Sequence, residues 1–250
     1  MSGHSKWATI RRKKGAADAA RGKVFNRLIR EISIAARLGG GDPAANPRLR
    51  TAVNNARGQN MPNKNIENAI MKGTGQLEGV SYEEVTFEGY GPSGVAIMIE
   101  TMTDNRKRTV AEVRHVLTKA GGNLGATNSV NWMFNTRGII TVPRDAIGED
   151  ELLEIVLEAG AEDVRSEEDT HEITTSPETF DDVRGALESK GITLESAELT
   201  KVPENTVKLE GDTAQKVLKL IDTLDDLDDT QHVYANFDIS DEEAERYGNQ

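Results

Sequence analysis

Cysteine is missing altogether from this 250-residue chain. A disulfide scaffold, a thiolate zinc site, an iron–sulfur cluster and a cysteine nucleophile are excluded together, and a reducing cytoplasm is the expected location. Aromatic residues are scarce, at 4%. The longest uncharged apolar run, Gly91 to Ile99, falls far short of the roughly 20 residues a bilayer requires. No membrane span is expected, and Met1 to Arg12 reads as polar and basic, unlike a secretory signal.

Signatures of catalysis are equally thin. His4, His115, His171 and His232 are scattered, without i, i+4 pairing, so no metal is expected. Gly89 to Gly94 matches G-x-G-x-x-G. A dinucleotide loop, however, must run into a helix N-terminus, and Val95 to Ile99 reads as a strand instead. The segment is therefore expected to be a tight hairpin. No G-x-S-x-G elbow or Walker pattern occurs, and the aspartates between 222 and 229 lack the glycine and distal glutamate of a calcium loop. They read as a solvated helix end. Neither a cofactor nor enzymatic activity is expected.

What the chain does have is a strong charge gradient. The formal net charge is -12, yet residues 1–78 carry 15 Lys and Arg against 5 Asp and Glu, residues 79–140 carry 6 against 6, and residues 141–250 carry 9 against 31. One end is built to face a polyanion and the other to repel it. Lys6, Arg11, Arg12, Lys13, Lys14, Arg21 and Lys23 crowd the first 23 residues, with His4 and Trp7 interleaved. Trp7 either stacks on an unpaired base or pins this arm to the helices behind it. From about Asp18 to Arg37, Phe25, Leu28, Ile29, Ile32 and Ala36 share one side of a helix, and Lys23, Arg27, Arg30 and Arg37 share the other. These cations are expected to face water and phosphate, so that Ala at Lys13, Lys14, Lys23 and Arg27 leaves thermal stability nearly unchanged while nucleic-acid affinity falls by more than about tenfold. A second cluster, Arg106, Lys107 and Arg108, precedes a helix expected to be capped by Thr109 with Glu112. Cations beside a helix N-terminus are unfavourable against its dipole, which argues for an external anion or for docking on the acidic part of the same chain.

Periodicity supplies the organisation. Residues 1–78 read as a basic domain of three short helices, with Asn46 capping a helix that opens at Pro47. Residues 79–135 hold a hairpin, a helix and a strand at Val130, Trp132 and Phe134; residues 136–203 form a complete βαββαβ pattern. A final helix and a strand from Val233 to Ile239 return in 204–250. The expected fold class is α+β multidomain: a three-helix domain and two ferredoxin-like α/β sandwich domains around a cleft, the second inserted in the first, which is thereby discontinuous (79–135 and 204–250).

Several segments are similar to the YebC/PmpR family, which includes the mitochondrial translational activator of cytochrome c oxidase. They are MSGHSKWATIRRKK (Met1 to Lys14), DPAANPRLRTAV (Asp42 to Val53), NMPNKNIENAI (Asn60 to Ile70), EGYGPSGVA (Glu88 to Ala96), TDNRKRT (Thr103 to Thr109) and GGNLGATNSVNWMF (Gly121 to Phe134). Asn128 stands where the family often carries glycine. The resemblance implies three domains and two known roles: DNA-binding transcriptional regulation in bacterial members, and action on ribosomes, helping elongation through proline runs, in others. Both readings need a nucleic-acid partner, either DNA or rRNA and tRNA on the ribosome, and no membrane. A lesser alternative is a small molecule bound in the interdomain cleft, since βαββαβ sandwiches host many activities.

Overall fold

The structure is a computed structural model that describes residues 18–166 and 169–248. Helix α1 (Asp18–Gly39), α2 (Pro47–Gly58) and α3 (Asn63–Gly73) form the first unit. Its core joins Ile32, Ala35 and Ala36 to Leu49, Ala52, Val53, Ala56, Met61, Ile66 and Ala69, with Phe25, Leu28 and Ile29 packed against it. Asn46 caps α2 as expected. Its Oδ1 accepts from Leu49 N at 3.1 Å while its Nδ2 donates to the carbonyls of Ala35 and Gly40, both at 2.8 Å. A Cβ at Gly73 would meet the Ser33 carbonyl oxygen at 2.3 Å, so only glycine lets α3 approach α1 this closely.

The second unit is a sheet covered on one face by helices. Strands β1 (Glu83–Tyr90) and β2 (Ala96–Thr103) form the hairpin, and the turn between them is a short 3-10 segment, Pro92–Gly94, with Ser93 and Gly94 at positive φ. Helix α4 (Arg106–Lys119) crosses back to a two-residue strand β3 (Asn123–Leu124) on the far side of β1. The fourth strand, β9 (Thr230–Ala235), arrives from the C-terminal part of the chain, giving the order β3-β1-β2-β9. Helix α7 (Gly211–Asp225) packs beside α4, and β2 alternates cleanly. Ile97 and Ile99 enter the core under the helices, while Ala96 and Met98 face the opposite side with Val130, Phe134 and Tyr234. Both faces of β2 are thus buried.

Between those two segments lies the inserted sandwich. It consists of β4 (Phe134–Pro143), α5 (Glu149–Glu158), β5 (Ala161–Ser166), β6 (Thr170–Thr175), α6 (Phe180–Ser189) and β7 (Ser196–Pro203). All pairs are antiparallel and the order is β5-β6-β4-β7, the ferredoxin-like arrangement of a βαββαβ unit. The first sandwich has the same two layers, but its two central strands are joined directly as a hairpin. Two minor strands, β8 (Val207–Lys208) and β10 (Phe237–Asp238), pair in parallel, and α8 (Asp241–Gly248) ends the described chain.

Three local expectations are corrected. Val130, Trp132 and Phe134 are not a strand: Asn131–Met133 is a 3-10 turn, and Phe134 opens a strand that runs unbroken through Ile139 to Pro143. The expected terminal strand breaks at Asn236, whose side chain accepts from Ala96 N at 2.7 Å and donates to the Asn205 carbonyl at 3.2 Å. Finally, Asn105 caps α4, accepting from Arg108 N at 3.1 Å. Arg106, Lys107 and Arg108 form the first helical turn rather than a preceding loop, and Thr109 lies buried inside the helix.

Candidate nucleic-acid interface

Spacings of four and three along α1 put Lys23, Arg27 and Arg30 on one helix face, as the sequence requires. That face turns to the chain's own aspartates, with Arg27 and Arg30 partly buried and Lys23 still exposed. It lies along the acidic turn that leaves α7, where Lys23 Nζ meets Asp226 Oδ1 at 3.1 Å, Arg27 Nη2 meets Asp225 Oδ2 at 3.0 Å and Arg30 Nη2 meets Asp229 Oδ1 at 3.1 Å. Main-chain oxygens complete the match: Lys23 donates to the Asp226 carbonyl at 3.2 Å, Arg27 to that of Asp225 and Arg30 to that of Asp228. Arg30 also lies over the Tyr82 ring, 5.4 Å from its centroid.

Asp229 is the centre of this arrangement. Its side chain is 1% exposed, and its Oδ2 accepts from Arg108 Nη2 at 2.7 Å, Thr109 Oγ1 at 2.7 Å and Thr103 Oγ1 at 2.9 Å. Burial alone would push this carboxyl up. The hydrogen bonds from Arg108, Thr109 and Thr103, with the charge of Arg30, outweigh burial and hold it below the usual carboxylate range. Bonds to Asp229 and then Asp104 in turn raise the Arg108 guanidinium. The joint is therefore ionised, with Oδ2 hydrogen-bonded to α4 and β2 and Oδ1 in an ion pair with Arg30.

Two sequence expectations change accordingly. Arg27 does not face water, and the aspartates near 225–229 are not a merely solvated helix end, because Asp225 and Asp229 are buried against cations of the helical unit and of α4. The alternative weighed for the second basic cluster, docking on the acidic part of the same chain, is what Arg108 does. Arg106 and Lys107, two residues and one residue before it, stay exposed. Arg37, also exposed, donates to Ser81 Oγ at 2.7 Å. His4, Lys6, Trp7, Arg11, Arg12, Lys13 and Lys14 lie outside the described residues, as does the side chain of Arg21.

Sequence reasoning missed two organising residues. Arg48 spans α1, α2 and β1, with Nε on Glu31 Oε1 at 2.8 Å and Nη2 on Glu84 Oε1 at 2.6 Å. These hydrogen bonds, Glu31 first, raise its guanidinium further above its already high value. Glu88, 4% exposed, accepts from the backbone N–H of Asn128 (2.7 Å), Val130 (2.7 Å) and Asn131 (2.8 Å). With those N–H groups taken up by a carboxylate, the segment curls into a 3-10 turn instead of joining a sheet. Trp132 is left 64% exposed, its indole N–H on the Ser129 carbonyl at 3.1 Å. Asn128 sits at φ 65, a left-handed conformation that glycine adopts freely and asparagine tolerates. Glu88 is the third glutamate of a strand in which Val85 and Phe87 alternate with polar residues, so the sequence did not mark it out.

A cationic three-helix unit joined by ion pairs to the first of two α/β sandwiches, the second inserted in the first, defines the class of protein. Comparison with known families gives the particular one. The model described as TACO1/YebC protein N-terminal domain matches residues 5–76, and that described as TACO1/YebC second and third domain matches residues 82–237. The chain belongs to the TACO1/YebC family. It is 59% identical over 246 residues to "Probable transcriptional regulatory protein GSU1074" of Geobacter sulfurreducens, covering 98% of this chain and 99% of that one. It is 57% identical over 242 residues to "Probable transcriptional regulatory protein HRM2_04000" of Desulforapulum autotrophicum, covering 97% and 98%. Among solved structures, the conserved hypothetical protein Aq1575 from Aquifex aeolicus matches with a TM-score of 0.79 at 53% identity, covering 90% of this chain and 93% of that one.

Proposed function

We propose that this protein is a non-enzymatic, nucleic-acid-binding regulator of gene expression, with duplex DNA as its ligand. The observation that carries this reading is the charge gradient: 15 Lys and Arg against 5 Asp and Glu in residues 1–78 of a chain whose net charge is -12. Names of close relatives as probable transcriptional regulatory proteins support it.

In this reading the phosphate-contacting set is narrower than the one expected from the sequence. Lys23, Arg27, Arg30 and Arg108 are matched by aspartates of the same chain. Their work in this reading is to hold the helical unit against the first sandwich, while phosphate contact falls to His4, Lys6, Trp7, Arg11, Arg12, Lys13, Lys14 and Arg21. Arg106 and Lys107 add an exposed patch at the start of α4. Contacts of this kind position a protein on a phosphate backbone without reading sequence.

The test is equilibrium binding of the full chain to duplex DNA and to ribosomes across a salt series. Six phosphate contacts on DNA give a slope of about 5 decades of affinity per decade of salt. Submicromolar ribosome binding beside weak, sequence-blind DNA binding would overturn the DNA assignment in favour of a role in translation. Loss of both interactions at low salt would overturn the reading itself.

A further inference from the structure

From Pro43 to Ile66 the chain holds no aspartate or glutamate, although Asp and Glu outnumber Lys and Arg by 42 to 30 overall. In the structure this stretch is the elbow of the helical unit, formed by α2, the turn Gln59 to Pro62 and α3. Its apolar residues, Leu49, Ala52, Val53, Ala56, Met61 and Ile66, all point into the three-helix core. The polar residues have nowhere to go but outward. Arg50, Asn54 and Arg57, at spacings of four and three, line one flank of α2; Asn60 sits at the bend with φ 59, and Asn63 and Lys64 open α3. All six are exposed.

The contrast with α1 is what makes this surface informative. There, each of three cations is matched by an aspartate or its carbonyl. On the elbow, the side chains of Asn54, Arg57, Asn60, Asn63 and Lys64 bond to none of the described residues, and Arg50 reaches only the carbonyls of Pro43 and Ala44 at 3.4 Å. Lys64 lies in the first turn of α3, an end that no side chain caps. A cation is disfavoured there by the helix dipole, and an anion from outside would reverse the cost. Glu67, one turn further on, is the next acid. Guanidinium and ammonium groups interleaved with carboxamides suit one kind of partner, a phosphodiester chain whose phosphates take the cations and whose sugar and base edges take the amides.

We infer that the α2–α3 elbow, through Arg50, Asn54, Arg57, Asn60, Asn63 and Lys64, is a second nucleic-acid contact surface, distinct from the α1 face that the chain fills with its own aspartates. The inference deepens the proposed function and rests on it. The elbow takes phosphate while the α1 joint stays closed.

The experiment compares wild type, the triple variant Arg50→Ala, Arg57→Ala, Lys64→Ala, and the charge-conserving Arg57→Lys, Lys64→Arg. Binding to a fluorescent 20-base-pair duplex and to a structured RNA hairpin is followed from low to moderate salt, with melting temperatures as the folding control. The triple variant is expected to lose more than tenfold in affinity and, on duplex DNA, about 2.7 from the salt slope, with an unchanged melting temperature. The charge-conserving variant is expected to retain wild-type binding. A larger loss on one probe identifies that polymer as the ligand. Wild-type affinity in the triple variant overturns the elbow while leaving the functional reading intact. Failure of the wild type on both probes overturns the functional reading, and the elbow with it.

Discussion

Arg30 on α1 and Arg108 on α4 approach opposite oxygens of one carboxylate, that of Asp229, at 3.1 and 2.7 Å. A single buried anion therefore ties the helical unit to the first sandwich. Replacing it with alanine takes the ion pair from both guanidinium groups and an acceptor from two hydroxyls, leaving Arg30 on the Asp228 carbonyl and Arg108 on Asp104. Charge-assisted bonds of this kind contribute about 1.5 to 3 kcal/mol, so Asp229→Ala is expected to lower the melting temperature by roughly 5 °C. A calorimetric scan showing a change below about 2 °C would disprove the joint.

Acid should dissolve the same joint. The Asp229 carboxyl is held below its ordinary value in the folded chain. Its stabilising contribution is fully present above the unfolded value of about 3.9 and is lost as pH falls through the lower native value. Wild type should thus be more stable than Asp229→Asn at pH 7, and the gap should close only below about pH 4. Melting both proteins between pH 7 and 2 checks the sign; a gap that widens on acidification contradicts it.

The α1 cations are not equivalent. Lys23 and Asp226 are 46% and 58% exposed, whereas Arg27 and Asp225 are 27% and 8% exposed. Exposed pairs contribute up to about 1 kcal/mol and are screened by salt. Lys23→Ala should accordingly change the melting temperature by less than about 3 °C, and Arg27→Ala by more than Lys23→Ala at both 0.05 and 0.5 M salt. Equal shifts for the two would contradict the burial argument.

Glu88 should govern the loop from Gly125 to Asn131. Glu88→Gln keeps one acceptor oxygen but removes the charge that three N–H groups share, a loss of about 2 kcal/mol by the usual strength of charge-assisted bonds. Amide exchange is expected to accelerate at Asn128, Val130 and Asn131 and to stay unchanged in α2. Protection that persists at those three amides would refute the assignment.

Backbone geometry at Asn128 gives a further test. Asn128→Gly is expected to be neutral or slightly stabilising at φ 65, whereas Asn128→Val should cost about 1 to 3 kcal/mol, because a β-branched side chain is strained there. Denaturant melts of the pair decide it, and indistinguishable midpoints would count against the turn.

Much of the fold was legible in the chain because it is written in local patterns. Phe25, Leu28, Ile29 and Ile32 recur at helical spacing, Asn46 and Pro47 mark a helix start, and Ile97 and Ile99 alternate across a strand. Failures came where a distant side chain captured the backbone or its charges. Glu88 took the N–H groups of Asn128 to Asn131 and turned an alternating stretch into a 3-10 bend. Asn236 divided a strand by bonding Ala96, 140 positions away. Asn105 supplied the α4 cap that Thr109 was expected to provide, since the hydroxyl of Thr109 is spent on Asp229.

The chain alone determined the three-helix and α/β character and the cationic opening against an acidic remainder, since composition and periodicity do not depend on how distant segments meet, and its motif segments carried the family resemblance. Which cations stay available was decided only by tertiary structure. Lys23, Arg27 and Arg30 share a face with perfect helical spacing, but Coulomb attraction acts through space, and folding brings aspartates some 200 residues away to within 3.1 Å of each.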